Sequence, residues 1–158
     1  MGPTHTPRSV LHAPDGAHDD PETACEEYEE LLATLPPREI QLLGIGRNGH
    51  IGFNEPGTSL DARTHVVELH DATRADNQRH FPAGRSVPTH AITMGIGTIL
   101  EARRIVLVAT GDAKSHAVAD AIEGPVTPAC PASGLRQHAH VTVMLDPSAA
   151  AGLTQRRG

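Results

Sequence analysis

The segment Gly44-Ile-Gly-Arg-Asn-Gly-His-Ile-Gly-Phe-Asn-Glu-Pro-Gly57 brings an imidazole, a carboxylate and an amide into one glycine-rich stretch. His50 and Glu55 are five residues apart, and Asn48 stands two before the histidine. An imidazole with an ordinary pKa of about 6.5 both takes and gives protons near neutrality. A nearby carboxylate fixes its tautomer and stabilises its cation. Asn48 would hold the same ring through a neutral hydrogen bond. These three residues are the candidate catalytic group, and the chemistry they suit is general acid–base catalysis. Arg79 and Lys114 are candidates for holding an anion. Lys114 follows Thr110-Gly-Asp-Ala in the first turn of an expected helix, where a helix N-terminus adds positive potential. On spacing alone, both would pass for ordinary surface cations. Lys114 is also the only lysine among the 13 basic residues.

These side chains need elements to position them. Ile40 to Leu43 reads as a buried strand within Glu39 to Gly46, so the glycine-rich run starts at its carboxyl end. In open α/β sheets that is where ligands bind. Pro21 to Thr34 reads as an amphipathic helix with an acidic outer face, stopped by Pro36-Pro37. Further strands are expected over Arg63 to Leu69, Ala91 to Met94, Arg104 to Thr110 and Val141 to Leu145. Helices are expected over Asp71 to Phe81 (with Asp71 as N-cap), Gly95 to Ala102, Ala113 to Glu123 and Pro131 to Gln137. Strands and helices alternate, which indicates an α/β fold with a mostly parallel, Rossmann-like sheet and flanking helices. Residues 1–20 read as a loop or disordered tail, 21–147 as the folded body, and 148–158 as a frayed tail.

Several function classes are excluded. The net charge is −6 and no basic stripe is visible, which argues against nucleic acid. No apolar run reaches the roughly 18 residues that span a bilayer, and the polar N-terminus is not a signal peptide. Cys25 and Cys130 lack metal or redox spacing and read as reduced thiols of a cytoplasmic protein. Gly44-x-Gly46-x-x-Gly49 matches a dinucleotide fingerprint, but that fingerprint must open a helix. Two glycines and a proline within His50 to Gly57 do not, so no cofactor is expected. His138-Ala-His140 would put two rings on one strand face, but no third ligand has recognisable spacing. No metal is expected.

The string Leu43 to Gly57 resembles the glucosamine-6-phosphate deaminase (isomerase/deaminase) family. The resemblance continues through Ser59-Leu60, Arg63-Thr64, Thr73 to Asn77, Arg79, Val87-Pro88, Ala91 to Gly97, Gly111 to Lys114, Glu123-Gly124, Pro131 to Ser133, His138 and Val141 to Asp146. It covers about residues 20–147. It implies a sugar-phosphate substrate, D-glucosamine 6-phosphate, converted with water to D-fructose 6-phosphate and ammonia without cofactor or metal. It implies that His50, paired with Glu55 and supported by Asn48, opens the sugar ring, and that Arg79 and Lys114 bind the sugar phosphate. The Gly-His-Ile-Gly-Phe-Asn-Glu-Pro string favours a deaminase over a 6-phosphogluconolactonase-like hydrolase of the same fold. A sugar-phosphate-binding remnant without turnover is the other alternative.

The resemblance also implies an N-terminal segment that has no match here. That segment would carry the first strands, a glycine/serine phosphate loop and the aspartate that moves the C2 proton. Deamination by this chain alone is therefore expected to be weak, and its sheet to expose aliphatic surface. A homo-oligomer, or a partner chain carrying the missing half, is the expected consequence. Some members of the family are activated by N-acetylglucosamine 6-phosphate through basic residues. Those positions here are His65, Val67 and Glu68, so no such activation is expected.

Overall fold

A computed structural model of the chain describes residues 11–69, 74, 75, 78–82, 84 and 86–154. Helix α1 (Pro21–Thr34) begins where the sequence dictates. Asp20 accepts a hydrogen bond from the Glu22 amide at 3.2 Å, Thr23 donates its hydroxyl to the same carboxylate at 2.8 Å, and Pro21 occupies the first turn. Ala24 and Cys25 are its buried residues.

The acidic face of α1 differs from expectation at one position. Glu29 turns inward and accepts hydrogen bonds from the Thr64 amide (2.9 Å), the Thr64 hydroxyl, the Thr98 hydroxyl (2.7 Å) and the Arg63 guanidinium. Partial burial alone would push its pKa up. The Thr64 and Thr98 bonds and the Arg63 cation overcome that and hold it at about 2. Arg63 reaches Glu101 as well, so this network staples α1 to the centre of the chain.

Three strands form a parallel sheet, β1 (Gln41–Gly44), β4 (Ile105–Ala109) and β5 (Val141–Leu145), in the order β1-β4-β5. Leu43 faces Leu107, which faces Val143. Two more strands, β2 (His65–Glu68) and β3 (His90–Thr93), pair antiparallel as a separate ribbon. The five strands thus divide into a parallel sheet and a ribbon rather than one sheet. The connection between β2 and β3 carries a short 3₁₀ turn, Gln78–His80. The expected helix over Asp71 to Phe81 lies partly outside the described residues, and Asp71 with it.

One face of the parallel sheet is covered. Leu43, Ile105, Leu107 and Ala109 pack there against α2 (Ile96–Leu100), α3 (Ser115–Glu123) and the 3₁₀ segment Pro131–Gln137. Ile96, Ile99, Ile105 and Val118 are essentially fully buried. The other face is open: Leu42 is 66% exposed, Met144 56% and Val108 38%. Strand alternation and the register, Gly44 beside Val108 beside Met144, place these side chains on one surface. The expectation that Ile40 to Leu43 is buried is corrected accordingly. Only Leu43 enters the core, because β1 is an edge strand with a single covered face.

The end of the chain is better ordered than its composition implies. Residues 147–152 form turns, Ala149 is fully buried, and Thr154 donates its amide to Glu123 at 3.1 Å. The frayed-tail reading is corrected for 148–154. The small residues fit where larger ones would collide, since a Cβ on Gly152 would lie 2.8 Å from the Ser115 carbonyl oxygen. Cys25 and Cys130 are free and buried, and burial pushes both thiols up.

Candidate active site

Adjacent parallel strands end together, so the loops leaving β1 and β4 emerge from one edge of the sheet. The β1 loop carries His50, and the β4 turn carries Lys114. The loop after β1 folds on itself: Gly49 donates to the Gly46 carbonyl at 3.1 Å, and Gly46 donates to the His50 carbonyl at 2.8 Å. Gly49 takes a left-handed φ of +86°. The imidazole lies directly over Gly46, where an added Cβ would stand 2.2 Å from Cε1 of the ring. Gly46 is therefore a seat for the ring, and only glycine provides it. Its place in the glycine string was visible in the sequence, but its use was not.

Asn48, His50 and Glu55 come together as expected. Asn48 Nδ2 donates to Glu55 Oε2 at 2.7 Å, and Asn48 Oδ1 lies 2.7 Å from His50 Nδ1. His50 Nδ1 is 3.5 Å from the same carboxylate oxygen. Donor chemistry fixes the orientation. An ionised carboxylate only accepts, so the amide must turn its NH₂ to Glu55 and its oxygen to the ring. With that orientation the ring carries its proton on Nδ1, which leaves the Nε2 lone pair free to accept a proton. Glu55 is 4% exposed, whereas the imidazole is 23% exposed. The carboxylate is sheltered while the ring opens outward. A proton taken up at Nε2 creates an imidazolium beside a partly desolvated carboxylate, which stabilises it.

The exit of the loop is held from behind. Asn54 Nδ2 donates to the carbonyls of Ile51 (2.8 Å) and Met94 (2.9 Å), and the Phe53 amide donates to Thr93 Oγ1 at 3.0 Å. Thr93 is the last residue of β3, and Met94 follows it. The Gly57 amide bonds the Pro128 carbonyl at 2.9 Å, and the Ala132 amide bonds the Gly49 carbonyl at 2.9 Å. Two separate segments, the end of β3 and the stretch from Pro128 to Ala132, thus grip the loop.

Lys114 ends the 3₁₀ turn Asp112–Lys114 and caps the start of α3, so it lies just before the helix rather than in its first turn as expected. Asp146, at the end of β5, anchors that turn. Its carboxylate accepts the Ala149 amide at 2.7 Å and the Gly111 amide at 3.0 Å, and these two bonds pull its pKa down. Arg79 sits in the 3₁₀ turn between β2 and β3 and is exposed. The structure thus assembles Asn48, His50 and Glu55, sets Lys114 on the same sheet edge, and carries Arg79 on the ribbon's connection. Among the described residues, no group of three or more His, Cys, Asp or Glu is placed to hold a metal ion. His138 and His140 precede β5 rather than lying on it. His138 Nε2 is 2.8 Å from the Ala102 carbonyl, the distance of a structural hydrogen bond.

The structure sets a histidine–carboxylate pair at the carboxyl edge of the parallel strands of an α/β fold. The model of the family described as glucosamine-6-phosphate isomerases/6-phosphogluconolactonase matches residues 2–144, and the chain belongs to that family. It is 52% identical over 139 residues to the glucosamine-6-phosphate deaminase of Bacillus velezensis, covering 88% of this chain and 58% of that protein. With the Streptomyces avermitilis glucosamine-6-phosphate deaminase it shares 53% identity over 141 residues, covering 89% and 54%. The solved structure of a monomeric glucosamine-6-phosphate deaminase superposes with a TM-score of 0.88 at 50% identity, covering 93% of this chain and 61% of that one. The 6-phosphogluconolactonase from Trypanosoma cruzi has a TM-score of 0.61 at 25% identity, covering 85% and 52%. The chain therefore spans little more than half the length of the curated relatives it matches.

Proposed function

We propose that this chain carries the acid–base half of a glucosamine-6-phosphate deaminase site, which converts D-glucosamine 6-phosphate and water to D-fructose 6-phosphate and ammonia. The observation that carries the reading is the Asn48-bridged His50–Glu55 pair, in a chain about half identical to curated deaminases. His50 Nε2 removes the proton of the anomeric hydroxyl and returns one to the ring oxygen, opening the pyranose. A base then moves the C2 proton to C1 through an enolamine. Water adds to the resulting imine at C2, and ammonia leaves. The C1 carbonyl of the opened sugar takes up the electron pair left at C2, and the enolamine nitrogen returns it as C1 is protonated, which gives the imine. Lys114 and Arg79 hold the phosphate by charge-assisted hydrogen bonds.

The second base and the rest of the phosphate site are supplied by residues equivalent to the part of the relatives that this sequence does not match. The open face of the parallel sheet supports this reading. All-parallel sheets are covered on both faces, and here Leu42, Val108 and Met144 lie uncovered. A helical layer with an aliphatic stripe is the occupant that face fits. A phosphorylated amino-sugar substrate supports a cytoplasmic reaction. No helix among the described residues is long and apolar enough to cross a membrane.

The test mixes the purified chain with the unmatched segment of the Streptomyces avermitilis relative and follows ammonia release from glucosamine 6-phosphate. A one-to-one complex with His50-dependent release is expected, and Leu42→Glu should prevent the complex. Stable self-association that excludes the segment would overturn the partner reading. A complex with no release above its His50→Ala counterpart would overturn the activity.

A further inference from the structure

We infer that Asn54 is a positioning residue that sets the distance between His50 and Glu55 by clasping the loop that separates them; the inference rests on the acid–base role just proposed. Its side chain is fully buried, although it is a polar amide. Both Nδ2 protons are engaged, one on the Ile51 carbonyl at 2.8 Å and one on the Met94 carbonyl at 2.9 Å. Its main-chain amide returns to the Ile51 carbonyl at 3.0 Å, and Ile51 and Asn54 form an isolated antiparallel bridge. This closes a four-residue turn. His50 immediately precedes the turn, and Glu55 immediately follows it. The 3.5 Å separation of imidazole and carboxylate is therefore governed by how tightly Ile51 and Asn54 are drawn together.

The second bond, to Met94, fixes the closed turn to the end of β3. The Phe53 amide on Thr93 Oγ1 lies alongside it. Gly52, at the apex, has a φ of +58°, and an added Cβ would lie 2.9 Å from Thr93 Oγ1, so the turn sits hard against β3. Asn54 Oδ1 has no hydrogen-bond partner among the described residues. An aliphatic side chain would fill the same volume. What an aliphatic residue cannot supply is the pair of donors. Asn54 does not touch the ring, so it acts through the main chain.

The test reads the ring itself. In the ¹⁵N-histidine spectrum of the full chain, His50 carries its proton on Nδ1. In Asn54→Ala the Nδ1–H signature is expected to give way to a tautomer mixture. The imidazole midpoint should also fall, because the cation loses the Glu55 carboxylate. In the complemented chain, kcat for ammonia release should drop by about tenfold or more while KM stays within about twofold, the pattern of a misaligned reacting group. If Asn54→Ala fails to fold, Thr93→Val removes the Phe53 acceptor from the same clasp and should move the ring signals in the same direction by less. A folded variant with a wild-type ring spectrum and midpoint would overturn the inference. Shifted ring signals with no turnover in the parent protein would uphold Asn54 and count against the deaminase reading. Unchanged ring signals with full turnover would do the reverse.

Discussion

The loop after β1 and the cationic positions at Arg79 and Lys114 are built to different standards. Ile51, Asn54 and Glu55 are buried, and hydrogen bonds to Thr93 and Met94 at the end of β3 and to Pro128 and Ala132 hold the loop from two segments. Arg79 stands exposed on a 3₁₀ turn of the ribbon, and Lys114 lies at the end of another such turn. Proton transfer requires an alignment that only a rigid frame provides, whereas an anion is gripped by charge that the anion itself orders. The loop that carries Asn48, His50 and Glu55 is therefore held by its own frame, and Arg79 and Lys114 stand on short 3₁₀ turns outside it.

The largest effect should come from removing the ring. His50→Gln in the complemented chain is expected to lower kcat by about 10²–10⁴-fold, the range for a positioned acid–base group, with little change in Tm. Gly46→Ala should come next. A Cβ standing 2.2 Å from the ring displaces it, and a displacement of about 1 Å is enough to cost about 10²-fold in kcat. A Gly46→Ala variant as active as the parent would show that the seat is not needed. Lys114→Ala and Arg79→Ala should act differently, raising KM about tenfold each with kcat nearly unchanged, as loss of one charge-assisted contact does. A drop in kcat instead would erase the contrast between the two halves.

Glu29 sharpens the contrast from the stability side. Its carboxyl is held at about 2 against an ordinary 4.5, so the fold binds its charged form. The stabilisation is fully present above the unfolded value of 4.5 and is lost as pH falls from there towards about 2. Its magnitude is on the order of 2 kcal/mol. Urea unfolding between pH 6 and pH 2.5 should show the midpoint falling in the parent, and a flatter, lower profile in Glu29→Gln. Ammonia release at neutral pH should be unaffected by that change.

Much of this was legible in the residues. Pro21–Thr34 announces its own boundaries through Asp20, Pro21 and the Pro36-Pro37 stop, and Val141–Leu145 is a plain β-branched run. The proximity of His50, Glu55 and Asn48 was readable because a tight glycine loop brings residues this near in sequence close together. That the sheet would expose aliphatic surface was expected, but which side chains of β1 would face the open side was not readable. A short, mostly apolar run such as Ile40-Gln-Leu-Leu43 looks the same whether one face or both are covered, and only the layers packed against the sheet decide. Nor was the inward turn of Glu29, whose partners Thr64 and Thr98 lie 35 and 69 residues away in sequence. The packing of residues 147–154 was hidden for a related reason. Alanine and glycine there look featureless in composition, yet their smallness is what admits the close approach to α3.

The most direct test separates the two halves of the reaction. Ring opening needs only the His50 group, whereas deamination also needs the second base. The interconversion of the α and β anomers of glucosamine 6-phosphate, followed by NMR exchange with the purified chain alone, isolates the first. Acceleration over the uncatalysed rate that vanishes in His50→Ala, with little ammonia released, is the predicted result. No acceleration beyond that of His50→Ala would contradict the claim that these residues assemble a working acid–base site.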